Sequence, residues 1–176
     1  MDHRQYPEEN RLLLDIAKGL PLFSSFDDDA LKALTCYCRL RKYGDGSPIF
    51  NQGEYDNRIF FLISGAVRVF RDGVIISVLR RSGDVFGEMS LLDGRPRSAT
   101  VVAEGETRCL VLDASCLDTL PELCRDNFRY ILHRVFTTVL SQRLRATTEE
   151  LLSARREIER LKFENRHLAV SDPVPY

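Results

Sequence analysis

The sequence predicts a mainly-β α+β fold, a small antiparallel β-barrel or jelly roll flanked by N-terminal helices and a long C-terminal helix. Three observations carry this. From about Cys36 to Asp113, short runs rich in Val, Ile and Phe alternate with glycine-bearing turns, among them Gly53, Gly65, Asp72-Gly73, Gly83, Gly87, Gly94 and Gly105. That is the texture of short, evenly spaced antiparallel strands. Ahead of that stretch the apolar residues keep a helical period. Behind it, between Pro121 and Leu168, there is neither Gly nor Pro and the helix formers Leu, Arg and Glu dominate, which favours one long helix.

Taken in order, Leu12, Leu13, Ile16 and Leu20 mark a first helix that breaks at Pro21. A second starts with Asp27 or Asp28 as N-cap and carries Leu31 and Leu34 behind it. Cys36 and Cys38, two apart on an expected strand, would share a face. Val67 to Ile76 reads as a hairpin turning at Asp72-Gly73. The expected organisation is a β-barrel domain with its N-terminal helices over residues 10–120, a long helix over 121–168, and a disordered tail over 169–176.

Composition narrows the function. A chain of 176 residues accommodates one ordinary domain plus an extension. With 25 basic and 26 acidic residues the net charge is −1, which gives no general attraction to nucleic acid or to an anionic membrane. No stretch approaches the ~20 apolar residues of a membrane span. The opening MDHRQYPEEN lacks the basic-then-apolar pattern of a signal peptide. Five cysteines without a CxxC pair read as reduced structural thiols, so a cytoplasmic location is expected. His3, His133 and His167 are too scattered for a metal site, and no Walker A loop, GxSxG elbow or HExxH occurs. Neither a metal nor an enzymatic activity is expected.

The chemistry concentrates in Gly83-Asp-Val-Phe-Gly-Glu-Met-Ser-Leu-Leu-Asp-Gly-Arg-Pro-Arg-Ser-Ala-Thr-Val-Val102. Gly87 allows close backbone approach, and Met89 to Leu92 form a single helical turn whose leading N–H groups favour an anion. Arg97 adds a charge and a forked donor suited to phosphate oxygens. Ser98 supplies a hydroxyl and a backbone N–H beside it. Glu88, an acceptor at the edge of the same pocket, would repel a phosphate and suits a sugar hydroxyl. A phosphate with a neighbouring sugar hydroxyl describes a nucleotide.

The string FGEMSLLDGRPRSATVV resembles the phosphate-binding cassette of the cyclic nucleotide-binding domain family. The resemblance runs from Leu20-Pro-Leu-Phe23 through Gly46, Ile49-Phe50, Gly53, Phe60 and Gly65 to Leu112, and covers about residues 10–150. It implies that Glu88 takes the ribose 2′-OH and that Arg97 and Ser98 take the exocyclic phosphate oxygens. Backbone N–H groups near Ser90 and Ala99 would complete a cradle that includes Phe86, Gly87 and Met89.

In the long helix, Leu140, Leu144, Thr147, Leu151, Ala154, Ile158, Leu161, Asn165 and Leu168 alternate spacings of four and three. That is a heptad register, with Leu144, Leu151, Ile158 and Asn165 at a and the others at d. Glu150 would face the partner copy's Arg155, and Glu157 its Lys162, in a parallel homodimer. The string Gln-Arg-Leu-Arg-Ala-Thr-Thr-Glu-Glu is similar to the ligand-contacting helix of the cyclic AMP receptor branch of the family. The resemblance implies that Thr147 and Thr148 reach the adenine amino group from the two subunits, with Arg143 near the purine face. It favours cyclic AMP over cyclic GMP, and so does the small Ser98. The charged, mixed-sign helix surface and the little chain remaining beyond it point away from a DNA-reading domain.

The expectation is therefore a stand-alone cyclic AMP sensor. Ligand would shift a hinge near residues 115–135 and reset a coiled-coil dimerisation helix that signals to an unidentified effector protein. A truncated cyclic AMP-dependent transcription regulator, or a ligand-free coiled-coil adaptor, are the alternatives.

Overall fold

The structure is a computed structural model that describes residues 8–24, 26–115 and 122–170. The cysteines Cys116 and Cys124, part of the hinge expected at 115–135 and the tail from residue 171 lie outside the residues or side chains described. The chain divides into two compact units, Met1–Phe136 and Thr137–Tyr176.

In the first unit, α1 (Glu8–Lys18) is followed by a 3-10 turn at Pro21–Phe23 and by α2 (Asp28–Thr35). Proline at the start of that turn closes off α1, since it has no N–H to extend the helix. Asp27 caps α2, its Oδ1 accepting from the Ala30 N–H at 2.7 Å, so the choice left open between Asp27 and Asp28 falls to Asp27. Leu13, Leu14, Ala17, Leu20, Phe23, Leu31 and Leu34 are buried, whereas Leu12 is exposed and Ile16 half-buried, so the face that α1 buries runs through Leu13, Leu14 and Ala17.

Six strands follow: β1 (Cys38–Tyr43), β2 (Pro48–Phe50), β3 (Arg58–Arg71), β4 (Val74–Leu79), β5 (Val85–Phe86) and β6 (Thr100–Asp113), with the short α3 (Met89–Asp93) between β5 and β6. All pairings are antiparallel, in the order β1-β6-β3-β4, with β2 on β6 and β5 on β3. The arrangement is jelly-roll-like. It is not a closed barrel, for β1 and β4 end the order without pairing to each other among the described residues. The β3–β4 hairpin turns at Asp72-Gly73 with both residues at positive φ, 52° and 80°, the conformation that matches the twist of the flanking strands.

Cys36 and Cys38 do not share a face. Helix α2 runs up to Cys36, which caps its C-terminus and is exposed, while Cys38 opens β1 and is buried. The helix keeps one residue more than the apolar pattern alone suggests, so the two thiols belong to different elements. Cys109 is buried on β6, and burial pushes its thiol up to about 12, which leaves it chemically quiet.

Strand alternation separates two apolar layers. Phe60, Leu62, Val67, Phe86, Val101, Cys109 and Val111 pack with Ile49 and Phe50 in one cluster. Ile59, Phe61, Leu110 and Leu112 point the other way along their strands and are equally buried, with the Phe61 ring 5.1 Å from that of Phe23. Side chains on β3 keep to the correct layers along its 14 residues only because the register against β6 shifts at Leu62/Ser64 and Ser64/Ala66. Gly65 sits at that irregularity with φ +88°, and a Cβ there would strike the Glu106 carbonyl and come within 2.7 Å of Thr107 Cα.

The second unit holds the continuation of α4 (Glu122–Val170, 49 residues). Leu140, Leu144, Leu151, Ile158 and Leu161 of the heptad stripe are all exposed on it. Within the one chain Glu157 pairs with Arg160 at 2.8 Å and Glu159 with Lys162 at 3.1 Å.

Gly65→Ala is expected to destabilise the first unit by about 3 kcal/mol or more, since it meets both a left-handed backbone and a backbone wall. Urea unfolding of the variant checks this; a loss within about 0.5 kcal/mol would show that the β3–β6 irregularity relaxes freely.

Candidate functional site

The cassette is assembled where β5 leaves the sheet. Phe86 pairs with Phe60 across β5 and β3 and stacks on it, ring centroids 5.1 Å apart and planes 6° from parallel. Phe86 is therefore part of the apolar floor, and it carries Gly87 and Glu88 to the sheet's rim. Gly87 takes φ +81°, and a Cβ on it would lie 2.6 Å from Arg97 Nη1 and 3.1 Å from the Arg58 carbonyl oxygen. Its close approach is thus to the arginine. Glu88 begins α3 and is fully buried (0% exposed), a correction to its expected place at the pocket's edge. The chain after Phe86 turns inward, because Gly87 is free to take a positive φ.

Arg97 lies 41 residues beyond Asp56 in sequence and beside it in space. Its side chain is almost entirely enclosed, 3% exposed for the residue as a whole. Each η nitrogen has two acceptors. Nη1 donates to the Gly87 carbonyl and, at 2.8 Å, to Ser90 Oγ; Nη2 donates to the Arg58 carbonyl at 2.6 Å and to Asp56 Oδ2 at 2.9 Å. The Ser90 hydroxyl in turn donates to the Asp56 backbone carbonyl, 3.0 Å away. The guanidinium rests over the Phe50 ring, Cζ 4.2 Å from the centroid, a face that attracts cations. Backbone bonds hold the residue at both ends, Arg97 N–H to Glu54 O and Gly53 N–H to Arg97 O, each 2.8 Å.

One donor is left. Arg97 Nε is buried and has no acceptor. A buried N–H of a charged group without a partner costs free energy, and an anionic oxygen delivered to it would recover that cost. At the start of α3 the Leu91 and Leu92 N–H groups donate to the Glu88 carbonyl at 3.2 Å, which leaves the Met89 and Ser90 N–H groups ahead of the helical ladder. The donor set therefore suits a phosphate: a charged N–H with nothing to bind, beside a helix start.

Asp56 is the residue that sequence reading missed. Burial pushes its carboxyl up, but hydrogen bonds from the Arg58 side chain and N–H and from Arg97, together with the Arg97 charge, outweigh burial and hold it at about 2. The only local sign was a carboxylate two positions before Arg58 at the head of an apolar run, and nothing in the sequence ties it to position 97. The aromatic support from Phe50 was equally hidden.

Of the other expected site residues, Ser90 and Ala99 are buried, while Met89 and Ser98 are exposed, Ser98 Oγ standing 3.8 Å from Met89 Sδ. The structure thus brings Phe86, Gly87, Glu88, Met89, Ser90, Arg97, Ser98 and Ala99 into one neighbourhood. Arg143, Thr147 and Thr148 belong to the second unit. Arg143 is half-buried, Thr147 and Thr148 are exposed, and the Thr148 hydroxyl donates to the Leu144 carbonyl at 2.7 Å.

Residues 40–122 match the family described as the cyclic nucleotide-binding domain. Over 99 residues, 54% of this chain and 46% of the relative, the sequence is 38% identical to the cyclic AMP receptor protein of Thermus thermophilus. It is 30% identical to a cGMP-dependent protein kinase of Plasmodium berghei over 76% of this chain and 15% of the kinase. The chain thus spans less than half the length of either. A cyclic nucleotide-binding domain from Methylobacillus flagellatus has the same fold, with TM-score 0.67, 23% identity and 84% of each chain covered. Residues 40–122 belong to the cyclic nucleotide-binding domain family.

The depressed Asp56 carboxyl contributes stability that is complete above the ordinary carboxylate value of 3.8 and is lost as pH falls through about 2. That contribution is about 2 kcal/mol. Acid unfolding of Asp56→Asn is expected to start from lower stability at pH 6 and to show a flatter decline between pH 4 and pH 2 than the wild type. Parallel acid curves would mean that Asp56 is not held down by the two arginines.

Proposed function

We propose that this cyclic nucleotide-binding domain is a cyclic AMP sensor that signals through a coiled-coil homodimer to a partner protein. The observation that carries the reading is Arg97 Nε, a buried cationic donor with no acceptor, set in a cassette whose family binds cyclic nucleotides. The phosphate would take Nε and the Met89 and Ser90 N–H groups at the start of α3. Glu88 would accept from the ribose 2′-OH, and Ser98, at the exposed rim, would add a hydroxyl to an exocyclic oxygen. Burial strengthens the interactions of Arg97 and Glu88 because little water competes for them.

Support for cyclic AMP comes from the relatives' names, which include a cyclic AMP receptor protein and the cAMP-dependent protein kinase regulatory subunit of Mycosarcoma maydis, 34% identical over 55% of this chain. Cyclic GMP-dependent kinases match as well, so base choice is assigned to the small Ser98 and to residues beyond the cassette. Thr147 and Thr148 are proposed to take the adenine amino group and Arg143 the purine face. The exposed stripe from Leu140 to Leu161 supplies the apolar seam of the dimer. The effector is a protein docked on that dimer, in the cytoplasm. The proposed role is regulatory, without catalysis, metal, DNA or membrane contact. Ligand acts through its different affinity for two states of the domain.

Calorimetric titration is expected to give heat with cyclic AMP and weaker binding of cyclic GMP. Arg97→Gln should lower cyclic AMP affinity by about 100-fold while a ligand-free melting curve confirms folding. No heat from either nucleotide would sink the sensor and leave the ligand-free coiled-coil adaptor. For assembly, sedimentation equilibrium is expected to find a dimer that Leu151→Lys with Ile158→Lys converts to a monomer; a wild-type monomer would remove the coiled coil from the account.

A further inference from the structure

We propose that Arg58 is a positioning residue for the anion site: by sharing the Asp56 carboxylate, it keeps Arg97 from being neutralised by its own counter-ion. The inference rests on the cyclic nucleotide reading above and deepens it.

Asp56 stands between two guanidinium groups, and its two oxygens are unequally divided. Oδ1 accepts from Arg58 Nε and from the Arg58 backbone N–H, both at 2.9 Å. Oδ2 accepts from Arg58 Nη2 at 2.8 Å and from Arg97 Nη2 at 2.9 Å. Arg58 therefore holds the carboxylate with a two-pronged side-chain grip plus its own amide, while Arg97 touches one oxygen already engaged. The grip is fixed in place, since the Arg58 guanidinium lies over the Phe60 ring at 5.7 Å and the Arg58 carbonyl accepts from Arg97 Nη2 at 2.6 Å.

The division matters because the two arginines differ in surroundings. The Arg97 side chain is 2% exposed and that of Arg58 is 45% exposed. A carboxylate paired with Arg97 alone, out of water, would be a strong competitor for any incoming anion. A phosphate taking the side-on edge of Arg97, Nε together with Nη2, meets Asp56 on that same Nη2. With Arg58 present, Asp56 stays paired when Arg97 turns its charge to the phosphate, so no carboxylate is stranded in the exchange. A forked guanidinium does this better than a point charge, because it keeps both oxygens occupied.

The test is calorimetric titration with cyclic AMP of the wild type, Arg58→Gln, Arg58→Lys, Asp56→Asn and the double variants, each with a ligand-free melting curve. Arg58→Gln is expected to bind about tenfold more weakly, and Arg58→Lys about threefold more weakly, because the cation remains but the fork is lost. In the Asp56→Asn background both losses should vanish, since there is no carboxylate to share. A merely structural role for Arg58 would instead give the same loss in both backgrounds, and that result overturns the inference. So does an Arg58→Gln variant that binds like the wild type. If Arg58→Gln fails to fold, the Arg58→Lys pair of measurements decides by the same comparison. A wild type that binds neither cyclic nucleotide brings down the sensor reading and this inference together; wild-type binding with no effect at Arg58 brings down this inference alone.

Discussion

The burial of one guanidinium organises the first unit. Arg97 is enclosed beneath a jelly-roll rim, and a charge in that position survives only if nearly every donor has an acceptor. Four acceptors come from four places: the Gly87 carbonyl after β5, the Ser90 hydroxyl on α3, the Arg58 carbonyl at the head of β3 and the Asp56 carboxylate before it. Gly87 has to be glycine to let Arg97 in, and Phe50 offers its ring face from β2. Each of these depends on the strand pairings that bring the pieces together, so the site depends on the sheet. The single Arg97 donor left over, Nε, is the one proposed to meet a ligand.

How much of this was legible in the sequence differs by the range of the interaction. Local signals carried well. Glycine punctuation located the strands, Asp72-Gly73 turned the hairpin, Asp27 capped α2, and the Gly87-Glu88 and Arg97-Ser98 pairs marked the cassette. Each depends on backbone conformations that a few adjacent residues dictate. Cys36 shows where the local reading slips: period-two spacing put it on a strand, but helix α2 runs on to it, because helix ends are set by capping and packing as much as by pattern.

What was hidden is long-range. Asp56 becomes the counter-ion of Arg97 only through the fold of the intervening strands, and Phe50 lies under the guanidinium for the same reason. Glu88, read as an edge acceptor from its chemistry, is enclosed because the chain turns inward at Gly87. In each case the residue type was visible and its surroundings were not. In the second unit the heptad spacing was plain in the sequence, and its leucines are exposed in the single chain. An exposed apolar stripe of that length asks for a covering surface, which is the physical ground for the proposed dimer.

Arg97 Nε is the donor proposed to meet a phosphate, and NMR of the arginine Nε–H groups tests this most directly. On saturation with cyclic AMP, one Nε–H signal, absent from Arg97→Lys, is expected to shift strongly downfield and to exchange more slowly with water, as a new hydrogen bond to an anionic oxygen requires. An Arg97 Nε–H signal that does not move at saturating cyclic AMP would contradict the account, because the ligand would then be bound without the donor that Arg97 leaves unused.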